Sequence, residues 1–137
     1  MTILLDTNVI MDALQERQPF DTAAKDILLR SQNGEITCCF TANAVTDIFY
    51  LYNKVRDSHS ARIALNYLLA NYKVVSITQE DCINALSLPI DDFEDALVVV
   101  CAKKAGVDFI VTRDEAFLRE ESSVPIISPD EFLKKLK

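Results

Sequence analysis

Two periods of apolar and polar positions alternate along the chain. Short apolar runs with strand character occur at residues 2–6, 36–41, 73–77 and 108–112, with a shorter one from Val124 to Ile127. Between them lie longer stretches in which apolar residues recur every three or four positions, the spacing of one helical face. These predict helices from the end of the first run through about Glu16, from about Phe20 to Gln32, over about 43–56 and 58–72, near 79–87 and near 92–105. Asn33-Gly34 and Gly106 stand where helices commonly stop, and Pro89 follows another stop. Pro129-Asp130-Glu131 opens a terminal helix, with proline where its missing N–H costs nothing. Strands alternating with helices predict an α/β sandwich around a mostly parallel central sheet.

Composition narrows this picture. The 137 residues suit one domain, 1–137, and with half of them hydrophobic the chain has enough apolar material for a core without disulfides or structural metals. Acidic residues number 21 against 14 basic, a net charge of −7. That balance opposes a protein that holds nucleic acid by its electrostatic footprint, or one that binds an anionic membrane surface. Cys38 and Cys39 are adjacent while Cys82 and Cys101 stand alone, so no C-x-x-C pair exists; His59 is the single histidine. Buried free thiols in a reducing cytosol are expected. The start Met1-Thr2-Ile3-Leu4-Leu5-Asp6 lacks a basic n-region, and no apolar run approaches the ~20 residues of a membrane span. A cytoplasmic protein without a membrane segment is therefore expected.

The candidate chemistry lies in aspartates at strand–helix junctions. In open α/β sheets, ligand sites gather beyond the carboxyl ends of the strands. Asp6 ends the first strand run, Asp114 lies just past the fourth, Asp95 opens the helix leading into it, and Asp47 lies on the helix after the second. Crowded short carboxylates repel one another without a cation, and they suit Mg²⁺ or Mn²⁺, hard ions with oxygen ligands. An ordinary reading competes with this one. Asp6, Asp92 and Asp114 all stand at N-cap positions, where aspartate is favoured, and Asp92 with Asp95 resembles a capping box. Asp47 points away from the apolar stripe of Val45, Ile48, Phe49 and Tyr52 and shares a polar strip with Asn43 and Lys54, which a solvated face explains as well as a cleft does.

Three segments taken together, Leu5-Asp6-Thr7-Asn8-Val9-Ile10, Glu94-Asp95-Ala96-Leu97 and Val111-Thr112-Arg113-Asp114, resemble the PIN-domain family, especially its VapC-type toxin ribonucleases. The resemblance spans nearly the whole chain, in motif order and length. It implies a three-layer α/β/α sandwich and a Mg²⁺- or Mn²⁺-dependent endoribonuclease site. By position, Asp6 matches the first acidic ligand, Asp95 the third and Asp114 the fourth. The second is usually glutamate; counting six residues on from Thr41 reaches Asp47, a carboxylate shorter by one methylene. Thr7 and Asn8 resemble residues that orient the first aspartate, and Thr112 the hydroxyl that supports the last. Asp92 and Glu94 add charge near Asp95, where either could ligate a second ion.

The implied reaction is hydrolysis of an RNA phosphodiester to a 3′-hydroxyl and a 5′-phosphate, with no protein nucleophile. The resemblance further implies a homodimer neutralised by a small antitoxin whose basic or apolar segment covers the acidic cleft. Ile10, Met11, Leu14, Leu65, Leu68 and Leu69 could meet a partner or fill the core. Arg113 could hold a phosphate or pair with a nearby carboxylate, while the helix dipole accounts for Lys103 and Lys104. A catalytically weak PIN-like module that only binds RNA or protein is the alternative, supported by Asp47. An acidic-site phosphatase or receiver domain lacks its markers: Asp6 is followed by Thr7-Asn8 rather than by the D-x-D-x-T pattern, and Ser76-Ile77-Thr78 has no aspartate. Those four aspartates hold more than half of the net charge of −7, so RNA contact should depend on divalent ions.

Overall fold

Every strand pairs in parallel. A computed structural model describes residues 1–136. The elements run β1 (Thr2–Leu5), α1 (Thr7–Leu14), α2 (Asp21–Gln32), β2 (Thr37–Thr41), α3 (Ala42–Val55), α4 (Ser58–Asn71), β3 (Lys73–Val75), α5 (Gln79–Leu86), α6 (Phe93–Ala105), β4 (Phe109–Val111), α7 (Glu115–Leu118), β5 (Ile126–Ile127) and α8 (Pro129–Lys135). They form one five-stranded sheet in the order β3-β2-β1-β4-β5. Leu4 of β1 lies between Cys39 of β2 and Ile110 of β4.

The period-two pattern of the strands sorts side chains into two cores. Ile3, Leu5, Cys38, Phe40 and Val111 face α1, α2, α3, α4 and α8, meeting Met11, Ile27, Ile48, Leu68 and Phe132. Leu4, Cys39 and Ile110 face α5, α6 and α7, meeting Ala85, Val98, Cys101 and Phe117. Successive strand residues point to opposite faces, so a strand buried on both sides carries an unbroken apolar run. The result is the expected three-layer α/β/α sandwich. Ile10, Met11 and Leu68 are core, Leu14 and Leu65 pack against it, and Leu69 is exposed.

Departures from the expected boundaries cluster at the ends of elements. Asp6 lies outside β1 as the cap of α1, and Thr112 lies beyond β4. The first helix stops at Leu14 rather than near Glu16, whose φ of 51° breaks the helical path. Helix α7 shows only in its cap, Asp114, since four residues are too few for a helical period. Gly106 closes α6 in the left-handed conformation, φ 68°, as the helix stop required.

Candidate functional site

Strand β1 sits at the centre of the sheet, with β2 on one side and β4 on the other. The crevice beyond the carboxyl ends of β1 and β4 is where such a sheet reverses its winding and leaves room for a ligand. A cavity of about 390 Å³ occupies that edge. Asp6, Asp47, Asp95 and Asp114 all line it, with Thr7, Asn8, Asp92 and Glu94. Thr112 lies beneath, fully buried.

Asp6 is the most constrained of these groups. Its backbone N–H donates to Val111 O at 2.9 Å, joining the ends of β1 and β4. Its Oδ1 accepts the Thr7 N–H at 2.9 Å. Its Oδ2 accepts the Thr112 hydroxyl at 2.8 Å and the Asn8 amide at 3.3 Å. Thr112 Oγ1 in turn accepts from Asn8 Nδ2 at 3.1 Å and from the Asp114 N–H at 3.1 Å. With both acceptor sites of the hydroxyl taken by N–H groups, its one proton is committed to Asp6. Burial raises Asp6 above its ordinary pKa, opposed in part by the hydrogen bonds from Thr112 and Thr7. One hydroxyl thus couples the first strand's aspartate to the turn that carries Asp114.

The capping and site readings of these residues are compatible. Asp6, Asp92 and Asp114 each cap a helix, accepting through Oδ1 from Thr7 N, Asp95 N and Ala116 N. A carboxylate has a second oxygen: in Asp92 and Asp114 the cap fixes the side chain through Oδ1 alone, while in Asp6 the Oδ2 also accepts from Thr112 and Asn8. The Asp95 carboxylate caps no helix; burial first, then the charges of Asp92, Asp6 and Asp114, push it up to about 7. The Asp47 carboxyl beside Glu94, followed by partial burial and the charges of Asp6 and Asp92, pushes Glu94 up to about 7 as well. Asn43 Nδ2 donates to Glu94 Oε1 at 3.4 Å, bracing it from α3. Asp47 therefore lies in the cleft, next to Glu94, rather than on a plain solvated face.

Every acidic side chain here offers hard oxygen donors, and their mutual charge raises the pKa of Asp95 and Glu94. That chemistry fits Mg²⁺ or Mn²⁺. The donors are spread around the cavity: among the described residues, no three Asp, Glu, His or Cys side chains are gathered closely enough to hold an ion as they stand. A shared ion therefore requires carboxylates to swing inward from their capped positions.

Other residues of the site had no signal in the sequence. Asp12 is 1% exposed and receives Arg113 through Nε at 2.5 Å and Nη2 at 3.0 Å, while the Arg113 guanidinium stacks 4.1 Å from the Phe20 ring centroid. Arg113 is thus committed to a carboxylate rather than free for a phosphate. Asp12 gave no hint, because an acidic residue within a helix is usually solvated. Met11, Arg17, Tyr50 and Leu51 complete the cavity wall. Lys104 reaches away from the cleft to Ser76 O and Asp81, and His59 is exposed at the start of α4.

Comparison with known proteins agrees with this architecture. Ribonuclease VapC1 of Aquifex aeolicus (strain VF5) is 23% identical over 141 residues, covering 97% of this chain and 94% of that protein. The crystal structure of Mycobacterium tuberculosis VapC20, described as a sarcin-ricin loop cleaving toxin, superposes with a TM-score of 0.70 at 17% identity, covering 84% of this chain and 92% of that one. A toxin-antitoxin complex from Klebsiella pneumoniae contains a chain similar to this one with a TM-score of 0.67 at 18% identity, covering 93% and 97%. The model of the PIN domain matches residues 2–116, which include all three motifs as far as Asp114. The chain belongs to the PIN domain family.

Proposed function

We propose that this chain is a divalent-metal-dependent endoribonuclease, the toxin of a toxin–antitoxin pair. The observation that carries the reading is the convergence of Asp6, Asp47, Asp95 and Asp114 on one cavity at the winding reversal of the sheet. Likeness to Ribonuclease VapC1 points to RNA as the substrate. Asp6, Asp95 and Asp114 would hold Mg²⁺ or Mn²⁺, with Asp47, Asp92 and Glu94 as further donors. A bound divalent ion supplies a water of lowered pKa and charge compensation at the phosphoryl oxygens.

The chain's own residues do the positioning. Thr112 and Thr7 aim Asp6 and favour its ionised form against the burial that raises its pKa, while the cap on Ala116 N holds Asp114 by one oxygen. Glu94, braced by Asn43 and adjacent to Asp47, supplies the longer carboxylate that Asp47 lacks at the second acidic position. Without a cation, Asp95 and Glu94 are both pushed up to about 7, and a bound divalent ion would relieve that crowding and favour their ionised forms.

A small antitoxin with a basic segment, and a second copy of the chain, complete the proposal; the likeness to the Klebsiella pneumoniae complex supports the first. The acidic cleft suits a cationic segment. A cytoplasmic setting is part of the same reading: Cys38, Cys39 and Cys101 are buried free thiols, as a reducing compartment permits. No helix among the described residues is long and apolar enough to cross a membrane.

The test is cleavage of mixed RNA with Mn²⁺ or Mg²⁺ by the wild type, Asp6→Asn and Asp95→Asn, with circular dichroism to check the fold. Metal-dependent cutting lost in both variants supports the reading. Absence of cutting and of metal binding by the wild type leaves the weak binding module, for which the dispersed carboxylates and the short Asp47 speak. An Asp47→Glu variant that cuts markedly faster would show that Glu94 does not replace the missing reach.

A further inference from the structure

A groove between α5 and α6 shares no residue with the acidic cleft and is larger, about 730 Å³, within the range of cavities that hold small ligands. Its floor is apolar. Val99 is buried there, while Leu88 and Val100 are half-buried, packing on the core with one side and lining the groove with the other. The two walls carry opposite charge: Glu80 and Asp81 on α5, Lys103 and Lys104 on α6.

Two of those four charges already meet. Lys104 Nζ donates to Asp81 Oδ2 at 2.5 Å and to Ser76 O at 2.7 Å. Asp81 Oδ2 also accepts the Thr78 N–H at 2.9 Å, and Lys104 first, then that N–H, holds the carboxyl below its ordinary pKa. The Asp81 side chain is only 7% exposed, yet among the described residues nothing donates to its Oδ1. A carboxylate oxygen this enclosed ordinarily has a partner, and the open side of Asp81 is toward the groove. Asp81 thus sets a fixed, ionised and uncommitted acceptor in the α5 wall. Lys103 and Glu80 make no ion pair or hydrogen bond with any described residue, which leaves one free cation and one free anion across the groove from each other.

We infer that this groove binds a zwitterionic dipeptide with apolar side chains, its ammonium on Asp81 Oδ1 beside Glu80, its carboxylate on Lys103, and its side chains on Leu88, Val99 and Val100. The four wall charges cancel, so a neutral occupant with separated charges matches them. A simple anion would face Glu80 and Asp81, and a simple cation would face Lys103. Lys103 and Glu80 stand too far apart to pair with each other, which suits the two ends of a dipeptide better than the adjoining charges of one amino acid. Charge-assisted hydrogen bonds at each end are of the stronger kind, and the apolar floor favours aliphatic side chains between them.

The test is titration of leucyl-leucine into the nitrogen-15-labelled full chain, with amide shifts read by NMR at pH 7. Saturable shifts are expected at Asn84, Leu88, Val100 and Lys103, with none at Asp6 or Asp114. N-acetyl-leucyl-leucine lacks the ammonium and leucyl-leucinamide lacks the carboxylate; each should bind roughly tenfold more weakly, the loss of one hydrogen bond between charged groups. Lys103→Met keeps the side-chain stem of an exposed residue and removes its charge. It should weaken leucyl-leucine roughly tenfold and leave the affinity for the amidated peptide unchanged. Val100→Trp fills the groove and should abolish binding, with circular dichroism confirming its fold. No saturable shift in the groove, equal binding of the three peptides, or undiminished binding by Lys103→Met would overturn the inference. So would groove shifts that follow protein concentration instead of peptide, since the face would then be an interface between copies of the chain. None of these measurements uses RNA, so the outcome stands apart from the ribonuclease reading.

Discussion

Replacing Asp12 by asparagine removes the charge beneath Arg113 at nearly constant volume. Asp12 is 1% exposed and takes both hydrogen bonds of the Arg113 fork, while Arg113 itself remains 31% exposed with the Phe20 ring on one face. Removing one partner of a fully buried pair costs about 3–5 kcal/mol. Water can reach Arg113 here, and the asparagine oxygen still accepts one N–H, so the expected loss is about 2 kcal/mol. With an unfolding entropy of about 2.1 cal/mol/K per residue, this lowers Tm by roughly 7 °C for a chain of this length. Thermal unfolding at pH 7, followed by circular dichroism, measures it. Arg113→Met and the Asp12→Asn/Arg113→Met double variant close the cycle, and the double should be at least about 1 kcal/mol less destabilised than the singles added together. Because Arg113 lies between Thr112 and Asp114, RNA cleavage by Asp12→Asn should fall as well. A change in stability under about 0.5 kcal/mol, the range of ordinary surface substitutions, would refute the argument that this pair anchors the turn after β4.

Three further outcomes follow from the same geometry. Thr112→Val keeps the shape but removes the hydroxyl shared by Asp6, Asn8 and the Asp114 N–H, so it should cost about 1–3 kcal/mol in denaturant unfolding and reduce RNA cleavage more than its stability loss explains. The raised pKa values of Asp95 and Glu94, both near 7, mean that the folded chain holds protons the unfolded chain releases from about pH 4 upward. Their contribution to stability therefore falls as pH rises from about 4 to 7 and levels off above it. Metal-free melting curves should show the decline, Mn²⁺ should offset it at pH 8, and Asp95→Asn should shrink it. Gly106→Ala meets no steric neighbour but must hold a φ of 68°, so a loss of about 1 kcal/mol in Tm-derived stability is expected from the left-handed backbone alone.

Much of this protein was legible along the chain because the signals are local. The unbroken apolar runs at Ile3–Leu5 and Cys38–Phe40, the helix stop at Gly106, and the aspartates after strands each depend on neighbours a few residues away. Asp6, Asp92 and Asp114 announced helix starts for the same reason, and they are helix starts. Whether those aspartates also face one another was not a local matter. It follows from the order β3-β2-β1-β4-β5, which sets β1 beside β4 and brings residue 6 within a hydrogen bond of residue 112. The pairing of Asp12 with Arg113, the approach of Glu94 to Asp47, and the placing of Arg17 and Tyr50 on a shared wall likewise join parts of the chain far apart in sequence. Such contacts are made by packing helices onto a sheet, and nothing in the spacing of residues along one helix encodes which side chain of another will meet it. The sequence by itself determined the elements, their alternation and the carboxylates available for chemistry. Only the tertiary structure decided which of them share a cleft, because a carboxylate's burial and its charged neighbours exist only once distant segments have packed.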